Sequence, residues 1–218
     1  QESGSPYAVT PGRVLNTSGR PYQVFTPFSK AWREHWWPAP AARPPALPLL
    51  ELPVTAAARQ DDGHDALSLL TEAVQDSPIA LPEPGERAGL RRWQKFLSDG
   101  LAAYDHGRDR ADQPGSSRLS PYLRLGVLHP RTLLADLVDR TGVERPDAGR
   151  FITELAWREF YADVLWHHPA SAWRDLRASL AHLTYDHPED AIDAWRHGRT
   201  GYPFVDAGMR QLLATGWM

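Results

Sequence analysis

From residue 84 onward the apolar positions recur in steps of three and four. In ERAGLRRWQKFLSDGLAAY, residues 86–104, they are Leu90, Trp93, Phe96, Leu97, Leu101 and Tyr104, the spacing of one face of an α-helix. Residues 105–117 turn polar and contain Pro114 and Gly115, which predicts a loop. Ser120 followed by Pro121 predicts a short helix with serine at the N-cap and proline at its first position. PRTLLADLVDR predicts another helix from Pro130, and a long one is expected from about Pro146 to Trp166. Two or three more follow, the last being FVDAGMRQLLAT with Gly216 as its C-cap. No alternating pattern follows residue 60, and no internal repeat is found. The predicted fold class is mainly α.

The first part of the chain reads differently. Residues 1–37 hold short apolar stretches such as RPYQVFTPF, broken by Gly19, Pro21 and Pro27. They predict one or two strands and then a short helix, SKAWREHWW, as the tail of a preceding domain. Residues 38–53 carry six prolines in sixteen positions, which predicts an extended linker. In the stretch 54–83, HDALSLLTEAVQD predicts a loose helix. The chain starts at Gln1 and stops just past the expected cap at Gly216, so it is expected to be part of a longer protein.

Composition narrows the chemistry. The 218 residues are 42% hydrophobic and 23% charged, enough for a packed core. There is no cysteine, which removes disulfides, thiolate metal sites and cysteine nucleophiles, and points to a reducing compartment, the cytoplasm. No apolar run approaches the roughly 20 residues that span a bilayer. A net charge of −3 means that any nucleic-acid contact must come from a local patch. Nine tryptophans suggest a stacking surface. His167 and His168 are adjacent, His182 and His187 straddle loop residues, and there is no HExxH, so no metal is expected. Asp105, His106, Ser116 and Ser117 lie close in sequence, but nothing arranges them as a triad.

Three stretches carry candidate chemistry. In ELAWREFY, residues 154–161, Glu154, Trp157 and Arg158 share a helix face, with Phe151 and Tyr161 one turn away. One reading is a Glu154–Arg158 pair beside a packed tryptophan. The other is a recognition face that combines a stacking ring, an acceptor for a base edge and a guanidinium for an anion. In GSSRLSPYLRLG, residues 115–126, a glycine, hydroxyls and an arginine converge on a helix start, where N–H groups and dipole favour an anion. A simple capped turn reads equally well. The lysine of a phosphate-binding P-loop is missing. In WRHGRTGYPFVDAGMRQLLATGWM, arginines, glycines, Tyr202 and Trp217 mark a partner-facing turn.

Together these stretches resemble the DNA photolyase/cryptochrome family, and within it the cyclobutane pyrimidine dimer photolyases of bacterial type. The similarity is carried by YQVFTPFSKAW (22–32), AAYDHGRD (102–109), GSSRLSPYLRLGVLHPR (115–131), ELAWREFY (154–161) and GRTGYPFVDAGMRQLLATGWM (198–218). The resemblance implies that residues 1–37 end an α/β antenna domain, that 38–83 connect two domains, and that 84–218 are the first half of a helical domain that binds FAD. It implies flavin contacts at Tyr104, Ser116, Ser117, Arg118, Leu119, Ser120, Phe151 and Arg158. Glu154 and Trp157 would receive the damaged bases, with Arg108 and Tyr161 also facing DNA.

The implied activity is light-driven repair, in which excited, reduced FAD lends an electron to a pyrimidine dimer in damaged DNA. The dimer would be rotated out of the duplex, a step for which photolyases are among the recognised examples. A second antenna chromophore, of folate or deazaflavin type, is implied for the complete protein, and no protein or membrane partner is. Tyr185 stands where relatives often carry a tryptophan that relays electrons to the flavin. A sensory cryptochrome on the same scaffold is the alternative, as is a helical nucleotide-binding module without photochemistry. Glu154 and Trp157 favour repair, since a sensor has no need of a face that stacks lesions.

Overall fold

The computed structural model describes residues 5–42, 68, 79, 81–138, 144–180 and 182–217. Its α-helices are α1 (Phe25–His35), α2 (Glu86–Asp99), α3 (Tyr104–Gly107), α4 (Ser120–Arg124), α5 (Pro130–Leu137), α6 (Gly149–His167), α7 (Glu189–Arg196) and α8 (Pro203–Thr215). Two short 3₁₀ turns, Pro169–Ala172 and Ala178–Leu180, follow α6. By compactness the chain divides into two units, residues 1–42 with 83–183 and residues 43–82 with 184–218.

The helices appear where the three-and-four spacing places them, with adjusted ends. α2 stops at Asp99 because Gly100 has no side chain to continue the packing; a Cβ there would lie 2.8 Å from the Phe96 ring. The predicted loop 105–117 begins instead with the single turn α3. Ser120 is the first helical residue rather than the cap, Leu119 takes the cap position, and no side chain caps α4. α5 ends at Leu137, and Val138 bridges to Glu144. Gly216 closes α8 in the left-handed conformation, φ 72°, donating to the Leu212 carbonyl. Of the helix expected in HDALSLLTEAVQD only Ser68, which is helical, is among the described residues, and most of the proline-rich linker lies outside them.

The predicted N-terminal strands do not form. Among the described residues the only pairing in that stretch is an isolated bridge between Leu15 and Pro21. The physical reason lies on α6. Its buried stripe runs Ile152, Leu155, Ala156, Glu159, Phe160, Asp163, so two carboxylates occupy core positions. Glu159 accepts from the backbone N–H groups of Ala8 (2.9 Å) and Val9 (3.0 Å), and Asp163 accepts from that of Gly12 (2.7 Å). Donors that a strand would pair are taken by side chains.

Glycine is required at position 12. Its φ is +84°, and a Cβ would sit 2.6 Å from the Trp166 indole nitrogen. Further polar ties complete the anchorage. Arg131 Nε donates to the Ala8 carbonyl at 2.9 Å, and His129 Nε2 lies 2.7 Å from the Ser5 carbonyl while its other nitrogen caps α5.

With the N-terminal segment held, α1 lies along α6 and buries Phe28 and Trp32. Arg33 reinforces the packing by pairing with Glu144 and donating to the Gly149 carbonyl and the Thr153 hydroxyl. Trp93 in α2 is fully buried and donates to Asp136 in α5 at 2.7 Å. In the second unit Asp206 of α8 accepts from the Thr200 N–H and hydroxyl and from the Gly201 N–H. These bonds, the Thr200 hydroxyl foremost, hold its pKa below the usual carboxylate range.

Burial raises the Glu159 pKa above the ordinary 4.5, opposed by the bonds from Val9 and Ala8. A carboxyl whose folded pKa is raised binds its proton more tightly when folded. Its titration therefore favours folding most below the ordinary value, and that contribution is lost as pH rises through the folded pKa. Glu159→Ala strands two buried N–H groups and is expected to cost about 2–4 kcal/mol in chemical denaturation. Wild-type stability should show the decline with rising pH, and the variant should lack that component.

Candidate functional site

Opposite the stripe that grips the N-terminal segment, α6 presents Glu154, Trp157, Arg158 and Tyr161, all half-buried or exposed. The sequence left two partners open for Glu154. The structure gives it Arg108, whose Nη1 donates to Glu154 Oε1, with Arg150 4.0 Å away. The Glu154–Arg158 pair does not form. Such an i,i+4 pair is worth only about 0.3–0.5 kcal/mol, and Arg158 has other partners. Its Nη2 donates to the Leu123 carbonyl at 3.2 Å, its guanidinium lies 4.3 Å from the centre of the Tyr7 ring, and Nη1 is 3.6 Å from Glu159. Nη1 nevertheless makes no hydrogen bond while buried.

Arg108 donates to Asp109 as well and lies over the Tyr104 ring at 5.9 Å. The bond to Glu154 raises its pKa, so its charge is fixed. Tyr104 belongs to a buried aromatic cluster with Phe96 (5.5 Å), while Phe151 packs on Tyr104 (5.3 Å), Phe96 (5.1 Å) and Trp93 (5.5 Å). Burial raises the Tyr104 pKa, with Glu154 adding to it, so the phenol is neutral. Tyr104 and Phe151 are thus core residues that back the site.

Loop 115–120 is brought to α3 by a close backbone approach. A Cβ on Gly115 would lie 2.0 Å from the Gly107 carbonyl oxygen, so only glycine fits. Arg118 holds a left-handed φ of 52°, a strained conformation that often marks a functional turn. Ser116 and Ser120 are exposed, Ser117 is half-buried, and Leu119 is fully buried. α4 has only five residues, so the expected helix dipole is small. The loop's own hydroxyls and the charges around it supply the attraction instead.

Those charges line a cleft of about 560 Å³ between the loop and α2, bounded by Ser116, Ser117, Arg118, Arg91, Arg92 and Lys95. Glu83 and Asp99 also line it and pair with Arg91 and Lys95. Among the described residues its lining holds four cations and two carboxylates. The contribution of α2 to this cleft was missed in the sequence, where only its apolar positions were followed.

Trp157 stacks almost parallel on Phe25 of α1, with ring centres 3.5 Å apart and planes 7° apart. It also lies near-parallel to Tyr161 at 5.6 Å. Tyr161 is 63% exposed. Tyr185 is exposed too and belongs to the second unit. Among the described residues there is no cluster of histidines and acids that could hold a metal, and no helix long and apolar enough to cross a membrane.

Among the described residues the first unit is helical, with a cleft lined by basic side chains and hydroxyls and an aromatic face on α6. Residues 151–218 match the family model described as the FAD binding domain of DNA photolyase. It is 33% identical over 212 residues to the deoxyribodipyrimidine photo-lyase of Alkalihalophilus pseudofirmus, covering 97% of this chain and 43% of the relative. It is 41% identical over 201 residues to a deoxyribodipyrimidine photo-lyase of Thermus thermophilus, covering 91% and 42%. The chain therefore spans less than half the length of the curated relatives it matches. A bacterial class III photolyase from Agrobacterium tumefaciens shares the fold with a TM-score of 0.71 at 30% identity, over 98% of this chain and 44% of that one. An archaeal photolyase from Sulfolobus tokodaii, crystallised with two FAD molecules, has the same TM-score of 0.71 at 22% identity, over 96% and 43%.

The close approach of Gly115 to Gly107 predicts a sharp contrast between two glycines. Gly115→Ala must push the loop off α3, and should lower the thermal midpoint and speed proteolytic cleavage between 108 and 118. Gly149→Ala, at the first residue of α6 with only Glu144 Oε2 at 3.8 Å, should be neutral or slightly stabilising.

Proposed function

We propose that this chain is part of a light-dependent DNA-repair enzyme, a deoxyribodipyrimidine photolyase that splits cyclobutane pyrimidine dimers by electron transfer from excited, reduced FAD. The observation that carries the reading is the face of α6 on which Glu154 and Trp157 remain open beside Arg108. An acid and an indole walled inside the core would have excluded it.

The residues present fit the cofactor. The cleft lined by basic side chains suits a diphosphate, the hydroxyls of Ser116, Ser117 and Ser120 can bond its oxygens, and Arg118 adds charge. Tyr104 and Phe151 would shape the pocket from behind, and the buried Leu119 would support the loop from within. The flavin, when bound, supplies the light-driven electron transfer, while the protein supplies binding, orientation and electrostatics. A second, antenna chromophore of folate or deazaflavin type belongs to the α/β domain that residues 1–37 would end. Residues 38–83 would connect it to the helical domain.

The DNA side follows from the same face. A dimer turned out of the duplex presents two joined flat rings. Trp157 and Tyr161 offer ring surface, and base stacking on such residues is worth about 1–3 kcal/mol per base. Glu154 can accept from a base edge, and Arg108, released from it, can meet a backbone phosphate. Tyr185 would relay electrons at the exposed surface. A cysteine-free chain suits the reducing cytoplasm in which this repair would occur.

The intact protein should restore an oligonucleotide carrying one thymine dimer under blue light and leave it unchanged in the dark. Glu154→Ala should lower repair at limiting light by about tenfold, the equivalent of one hydrogen bond to a charged group. Equal recovery in light and dark would refute the reading.

A further inference from the structure

The aromatic partner of Trp157 comes from the far end of the chain. Phe25 opens α1, in a stretch that the sequence assigns to a preceding domain. Its ring lies 3.5 Å from the indole, with planes 7° apart. Phe160, itself buried, meets both rings edge-on, at 5.9 Å and 73° for Phe25 and 5.9 Å and 75° for Trp157. The two rings are therefore clamped as a parallel pair. An indole on a helix surface has several staggered orientations open to it, and this clamp selects one.

Anchoring α1 does not need an aromatic ring at this position. Phe28 and Trp32, one and two turns further along, are buried to 1% and 0% exposure and do that work. Phe25 is only half-buried, and its main contact is the indole.

We propose that Phe25 is a positioning residue: it backs one face of Trp157, fixes the plane of the indole, and so presents the rest of that ring with Tyr161 as a preset floor for two joined pyrimidines. The inference rests on the reading of the α6 face as the site that receives the lesion. It also makes the N-terminal helix part of lesion recognition. A ring already held in its bound orientation loses less freedom when a base stacks on it, and that saving is greatest for a ligand whose two rings are rigidly joined. Undamaged bases, which stay stacked in the duplex or move independently, gain less.

The experiment measures binding in the dark of the intact protein to a single-stranded oligonucleotide with one thymine dimer and to the same strand undamaged. It compares wild type with Phe25→Leu and Phe25→Tyr and records each thermal midpoint. Aromatic pairs contribute about 0.5–1.5 kcal/mol beyond burial, so Phe25→Leu should lower the ratio of the two affinities about three- to tenfold. Phe25→Tyr, which keeps the stack, should restore the ratio.

A wild-type protein that discriminates, with a ratio unchanged or raised in Phe25→Leu, overturns this inference alone. A raised ratio would mark Phe25 as a plug that the base displaces. A wild-type protein that does not discriminate overturns the lesion-site reading and this inference with it. If Phe25→Leu does not fold, Phe25→Met is measured in its place with the same expected outcomes. Failure of both to fold would make Phe25 a core residue and overturn the proposal.

Discussion

Two buried carboxylates on one helix set the geometry of the first unit. Glu159 and Asp163 lie four residues apart on the core stripe of α6 and take the backbone N–H groups of residues 8, 9 and 12. Burying an acid is costly unless its oxygens are hydrogen-bonded, and here the partners are backbone donors that would otherwise be orphaned. Both oxygens of Glu159 and Oδ1 of Asp163 are satisfied in this way, while Asp163 Oδ2 has only His167, 3.8 Å away. The arrangement fixes where the N-terminal segment enters, which fixes how α1 lies on α6, which brings Phe25 to Trp157. A contact between residues 8 and 159 thus decides the shape of a surface at residue 157.

The same helix divides its labour by face. One side holds the chain together through acids that never reach solvent. The other keeps an acid and an indole accessible, with Arg108 and Arg150 gathered around the acid. The aromatic cluster of Trp93, Phe96, Tyr104 and Phe151 joins that face to the loop at 115–120, since Tyr104 touches Arg108 on one side and packs on Phe96 beside the cleft on the other. A rigid, dry wedge between two polar regions lets each keep its geometry without direct bonds between them.

Much of the architecture was legible in the sequence because helix periodicity survives any tertiary context. α2, α5, α6 and α8 follow from their apolar spacing, and the C-cap at Gly216 from its glycine. What was not legible depends on partners distant in sequence. Glu159 and Asp163 look like solvent-facing acids until the N-terminal segment is placed over them. Arg108 captures Glu154 from 46 residues away, because a tertiary contact with two further supports outweighs a local pair between mobile side chains. Leu119, Tyr104 and Phe151 sit in motifs that suggest ligand contact, yet apolar burial draws their side chains inward. Strands were expected within residues 1–37 from short apolar and aromatic stretches, but strand propensity is realised only where a neighbouring strand supplies donors and acceptors.

Net charge is a poor guide to what such a site can bind. At physiological ionic strength charges beyond about 8 Å are screened, so a ligand at Glu154 senses Arg108 and Arg150 far more than the overall −3. Arg108 also meets Asp109 and Arg150 also meets Asp105, so around Glu154 two guanidiniums interleave with three carboxylates. That combination suits a ligand with a phosphate backbone and a base edge close together. An unpaired carboxylate would repel the phosphates, and a lone arginine would bind any strand equally. With Arg108 held on Glu154, only a ligand able to satisfy both groups at once has reason to separate them.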